Sequence, residues 1–121
     1  MGVIGESLLK DADRIADRLR ILLPRLLGRT DDSAGRELLA ATRATLQALA
    51  DAAASAQGTA TRAVPEIRVL AVPDQLLVLA HDLVTGAPEA GAFTSVTAAE
   101  SAHERAIADG SAALGQLRSR L

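Results

Sequence analysis

Cysteine, tryptophan and tyrosine are absent from these 121 residues, and Phe93 is the single aromatic side chain. Without cysteine there are no disulfides, zinc ribbons, thiol redox centres or cysteine nucleophiles. Without aromatics there is no platform on which bases could stack, and any core must be built from Leu, Ile, Val and Ala. No stretch of about 18 apolar residues runs free of charge, the length that a membrane helix requires. Even the most apolar region, Val64–Gly86, carries Glu66, Arg68, Asp74 and Asp82. A secretion leader is not expected either, because Glu6, Asp11 and Asp13 interrupt the start of the chain where an apolar core segment would lie.

Charge is nearly balanced, at 13 basic and 15 acidic residues for a net −2. No basic stripe follows a phosphate backbone. A DNA-reading helix over 97–107 is disfavoured because the loop before it exceeds the three or four residues of a helix-turn-helix. Its outward residues Glu104, Arg105 and Asp109 are also mixed in sign. Neither nucleic acid nor membrane is an expected partner. The glycines match no phosphate-binding loop, and no serine sits in a G-x-S-x-G setting. The absence of cysteine fits a reducing compartment, so a cytoplasmic location is expected. Twelve arginines against one lysine, with heavy alanine use, suggest a bacterial genome rich in G and C.

Alanine and leucine dominate, both strong helix formers. The length suits one domain over residues 1–121. The first helix is expected over Gly5–Leu27. Leu8, Leu9, Ala12, Ile15, Ala16, Leu19, Leu22, Leu23, Leu26 and Leu27 fall within an arc of about 140°, a wide apolar stripe. Pro24 lies on the polar side, where it should bend the last turn, and Gly28 is a natural stop. Ile21 projects among the charges. Arg14, Arg18 and Arg25 share one side of the helix, with Arg20 apart. Interspersed Asp11, Asp13 and Asp17 favour a salt-bridged, hydrated surface there over an anion site. The turn Thr30-Asp31-Asp32-Ser33 offers several N-caps for a second helix ending at Gln57 and Gly58. Its main face is Leu38, Leu39, Thr42, Leu46, Leu49, Ala53 and Ala56. Beside it, Ala41, Ala44, Thr45, Ala48 and Ala52 allow another helix to approach closely.

The central stretch is divided by Pro65 and Pro73. Pro65 suits the first turn of a short helix over 65–72. The competing reading is a strand from Ile67 to Val72, which would require a partner strand to satisfy its backbone. Pro73 and Asp74 should open a helix to Thr85 that is apolar nearly all round. Residues 86–95 form a loop in which Phe93 is expected to plug one end of the bundle. Thr97-Ala98-Ala99-Glu100 has capping-box spacing, which predicts the start of the last helix. The stripe of that helix is Val96, Ala99, His103, Ile107, Gly110, Leu114, Leu117 and Leu121. Gly110 lies on the stripe, where it permits close packing; Gly115 lies off it and has no such role.

Two histidines are present. His81 lies on the narrow polar strip of its helix with Asp74 and Thr85 and is expected to be solvated. His103 stands three residues after Glu100, so carboxylate and imidazole share one helical face. Dinuclear carboxylate sites in bundles use that spacing twice, with two further glutamates. Here it occurs once. A histidine hydrogen-bonded within the core or at its edge is therefore favoured, with Glu100 and His103 kept as weak metal candidates. No catalytic residue and no cofactor site is assigned.

These readings predict an all-α, four-helix-bundle-like single domain with a proline-broken central segment. A non-enzymatic interaction or assembly module follows, self-associating as a homodimer, because the apolar surface exceeds what a chain of this length buries alone. Ile21, Leu76, Leu77 and Val78 are its interface candidates. The alternative is a small-ligand- or metal-binding bundle, with or without enzymatic activity, built on His103 and Glu100.

Overall fold

The computed structural model describes residues 3–121. Among these, four α-helices are joined by three connections: α1 (Val3–Leu27), α2 (Ser33–Gln57), α3 (Val72–Thr85) and α4 (Val96–Arg118). A single 3-10 turn, Val69–Ala71, leads into α3, and no strand is present among the described residues. The all-α bundle expected from the sequence is the fold observed.

The stripe of α1 is inward. Leu8, Ala12, Ile15, Ala16, Leu19 and Leu23 are at most 1% exposed, while Leu9, Leu22 and Leu26 pack partly buried at its edges. From α2 come Leu38, Leu46, Leu49, Ala53 and Ala56, from α3 Val72, Leu76, Ala80 and Leu83, and from α4 Ala106, Ile107, Leu114 and Leu117. The buried hydroxyls of Thr42 and Thr45 donate back to the carbonyls of Leu38 and Ala41, at 2.8 and 3.0 Å. Such bonds remove the penalty of burying a hydroxyl, and no buried side-chain polar atom among the described residues lacks a partner.

Cross-helix contacts give the directions. Arg20 of α1 reaches Asp74 at the start of α3, Gln57 at the end of α2 reaches Asp82 near the end of α3, and Arg118 of α4 reaches Asp11 of α1. So α1 and α4 run one way, and α2 and α3 the other. α2 packs most extensively on α4, α1 on α3, and α3 and α4 touch least, as diagonal partners do. The alanine flank of α2 is thus used within the chain, where its small side chains admit α4.

Because α2 and α3 are parallel, one long crossover must return the chain to the other end. Residues 58–68 perform it without helix or strand. Gln47 holds this strap in the manner of a partner strand. Its Oε1 accepts from the Val64 amide at 2.9 Å, and its Nε2 donates to the Arg62 carbonyl at 2.9 Å. Arg43 donates to the Ile67 carbonyl and Gln75 to that of Pro65. The expected helix over 65–72 is therefore corrected, and so is the competing strand. Side-chain amides satisfy an extended backbone that neither secondary structure needs to satisfy, and Arg68, at φ −56° and ψ 142°, is still extended where the 3-10 turn begins. Pro73 lies in the first turn of α3 and starts the helix, where its missing N–H costs nothing.

The start of α4 is also corrected. The N-cap is Ser95, whose Oγ accepts from the Ala98 amide at 3.0 Å. Thr97 is already inside the helix, so Glu100 has no capping duty. Val96, expected on the stripe, is 74% exposed. Gly58, which caps the C-terminus of α2, has φ 72°, and Ala92 and the ring edge of Phe93 from the α3–α4 loop close over it. Phe93 thus covers the C-terminal end of α2, as expected of a plug.

Both glycine expectations meet direct geometry. A Cβ on Gly110 would lie 2.5 Å from Leu83 Cδ2 and 3.3 Å from both Leu49 Cδ2 and Leu8 Cδ1, whereas one on Gly115 would meet nothing within 4 Å. Gly115→Ala should therefore raise stability by about 0.5–1 kcal/mol. Gly110→Ala should lower it by about 1 kcal/mol, the overpacking outweighing the gain in helix propensity. Urea denaturation of the two variants tests both signs. By the same measurement Ser95→Ala should lose about 1 kcal/mol, and Thr97→Ala should stay within about 0.5 kcal/mol of the parent; the reverse order would restore Thr97 as the cap.

Candidate functional site

At the end of the bundle that holds the α3–α4 loop, the last turn of α2 and the first two turns of α4 leave a cleft of about 300 Å³. Its lining is Ala56, Gly86, Pro88, Val96, Ala99, Glu100 and His103. The loop is held in place by the Glu89 amide, which donates to the Gln57 carbonyl at 2.9 Å. Gly86 is packed so closely on the Gln57 side chain and the Asp82 carbonyl that a Cβ there would collide with both. These contacts fix Pro88 opposite α4. The cleft is apolar on its walls and carries two ionisable groups, Glu100 and His103.

His103 is half-buried, and its Nε2 lies 3.1 Å from the carbonyl oxygen of Leu83. A carbonyl only accepts, so the proton sits on Nε2. The bond satisfies an acceptor in the last turn of α3, where intrahelical donors run out. Nδ1 is left as the free ring nitrogen. This matches the expectation of a histidine hydrogen-bonded at the edge of the core. Sequence reasoning could not supply its partner, because a backbone carbonyl leaves no mark in composition or spacing. Glu100 is exposed and makes no ion pair among the described residues. No three His, Asp or Glu side chains among the described residues gather closely enough to hold a metal ion. Glu100 and His103 therefore share a cleft but are joined by no third ligand. His81 is exposed, as expected, and the Thr85 hydroxyl donates to its backbone carbonyl at 2.7 Å.

The four interface candidates separate. Ile21 is 52% exposed and Val78 66%, each pointing away from the core. Leu77 is half-buried and packs against the core. Leu76 is fully buried and offers the surface nothing. Because α3 is apolar nearly all round, the sequence alone did not single out its inner face.

Around Ile21 the arginines are arranged differently from the expected salt-bridged surface. Asp17 pairs with Arg20 at 2.8 Å, and Arg20 also holds Asp74 at 2.8 Å. This holds the Arg20 guanidinium above its ordinary value, chiefly through the hydrogen bond to Asp74. Asp11 is taken by Arg118, at 3.6 Å. Arg14, Arg18 and Arg25 are exposed and have no carboxylate partner among the described residues. Arg18 makes only a long contact of 3.4 Å to the Leu121 carbonyl. Near the start of α2, Asp31 accepts from the Ser33 amide, which lowers its carboxyl below the usual range. A depressed carboxyl contributes stability that is present at neutral pH and lost as pH falls through the lowered native value.

Comparison of the chain with known protein families, with curated proteins and with solved structures finds no match. No helix among the described residues is long and apolar enough to cross a membrane.

The bond from His103 to α3 carries a direct test. His103→Ala should lower stability by about 1 kcal/mol and speed amide exchange in the last turn of α3. His103→Gln, which keeps a donor, should recover part of the loss. Equal losses in the two variants would mean that the ring contributes by packing and not by its hydrogen bond.

Proposed function

We propose that this protein is a non-enzymatic helical interaction module that self-associates, with a homodimer as its smallest assembly, and that it serves as an adaptor, assembly or regulatory component of the bacterial cytoplasm. The observation that carries this reading is the contrast between interior and surface. Inside, every buried side-chain polar group described has a partner. Outside, Ile21 stands among arginines that have no carboxylate partner. Val96 is exposed at the rim of an apolar cleft bordered by an unpaired glutamate. Exposed aliphatic side chains ringed by uncompensated charge are the raw material of a specific, electrostatically oriented contact.

A second reading rests on the cleft itself. Its apolar walls, with Glu100 and the free Nδ1 of His103 at their border, suit a small ligand, and with further ligands a metal; on this reading the protein is a binding protein or an enzyme. Protein purified without chelator would then carry stoichiometric metal that His103→Ala loses. Metal at background level in the parent removes that form of the second reading.

The first reading is tested by sedimentation velocity and light scattering from low to high micromolar concentration. Mass rising with concentration is the expected outcome. A strict monomer throughout would sink self-association.

A further inference from the structure

We infer that the contact between copies is heterologous: the arginine strip around Ile21 on one copy docks into the acidic cleft beside Val96 on the next. This rests on the self-association proposed above and specifies its geometry. At 3.6 residues per turn, Arg14, Arg18, Ile21 and Arg25 project within about 60° of one another, on the outward side of α1. Of the nearby aspartates of α1, Asp17 is paired with Arg20 and Asp11 with Arg118, while Asp13 projects about 80° round the helix from Ile21. The strip thus sets one exposed aliphatic side chain beside three exposed arginines that make no ion pair among the described residues.

The cleft presents the complement. Its walls are Ala56, Pro88, Val96 and Ala99, and Glu100 lies on its border. Glu104 stands one turn beyond Glu100 on the same side of α4, and Glu89 follows Pro88 in the loop; all three glutamates are exposed and unpaired among the described residues. Arg105, the nearest arginine in sequence, projects about 140° around α4 from Glu100. An apolar recess edged by carboxylates suits an aliphatic side chain edged by guanidiniums. A second copy of this chain supplies that combination.

The two surfaces cannot meet within one molecule. The strip lies in the later half of α1, and the cleft is at the last turn of α2, one helix length from the turn that joins α1 to α2. Because the two patches differ, docking is head to tail, and a docked pair keeps one free strip and one free cleft for further neighbours. The assembly then grows into open chains or closes as a ring, and the homodimer is its first step.

Two surface variants separate the halves of the contact. Ile21→Asp spoils the strip and leaves the cleft; Val96→Asp spoils the cleft and leaves the strip. Each alone should associate at least about tenfold more weakly than the parent, with unchanged helicity and thermal unfolding. Mixed in equal amounts they should form a one-to-one pair and stop there, since the pair retains only spoiled surfaces. The pairing should weaken as salt is raised. A parent protein that associates while either variant alone associates equally well, or while the mixture stays monomeric, overturns the head-to-tail contact and leaves self-association standing. A strictly monomeric parent overturns both.

Discussion

All four helices meet on a side chain that is not there. Gly110 of α4 faces Leu8 of α1, Leu49 of α2 and Leu83 of α3, and a single added carbon would press on all three. With no large aromatic ring in the centre, the bundle gains dispersion energy by bringing backbones close together, so that many small aliphatic contacts add up. Gly110 sets how near α4 can come. The alanines along α2 extend that closeness, and the register fixed at this crossing places the cleft at one end and the α1–α2 turn at the other.

Close packing has a topological consequence. α2 and α3 run parallel, so the chain must climb back along α2 before α3 can begin. The strap that does this has no regular hydrogen-bond ladder, and most of its cross-links come from Gln47, Arg43 and Gln75. A glutamine amide presents an acceptor and a donor on one side chain, much as a residue in a neighbouring strand does. Half-buried Gln47 therefore serves Arg62 and Val64 as a partner strand would, while Arg43 takes the Ile67 carbonyl and Val69–Ala71 turn into α3, so the stretch from Ile67 to Val72 needs no partner strand.

Much of the fold was legible because periodicity states it directly. The stripe of α1, the main face of α2 and the contrast between Gly110 and Gly115 all follow from counting residues per turn. What was not legible depended on distant partners. The extended strap needs Gln47, at least fifteen residues away, so local propensity for 65–72 chose between two wrong answers. Ser95 and Thr97 are both sound caps. The capping-box spacing favoured Thr97 because Glu100 follows it, while the structure uses the serine two residues earlier. Leu76 and Val78 differ by two positions in an apolar helix, yet one is sealed and the other exposed. At the candidate site Glu100 and His103 were visible as a spacing, but the cleft between them needed Ala56 and Pro88 from elsewhere in the chain.

The surface charges obey the same distinction between local and distant partners. From sequence, aspartates three residues from arginines on one helix promise local salt bridges, each worth only a few tenths of a kcal/mol when exposed. Arg20 bridges Asp17 and Asp74, tying α1 to α3, and Arg118 ties α4 to α1. Asp11 is drawn to α4 and Asp17 is held by Arg20, which leaves Arg14, Arg18 and Arg25 facing outward without an ion pair among the described residues. The packing that closes the interior thus also strips compensation from one outer strip. Ile21, an exposed aliphatic side chain of α1 outside its apolar stripe, borders that strip.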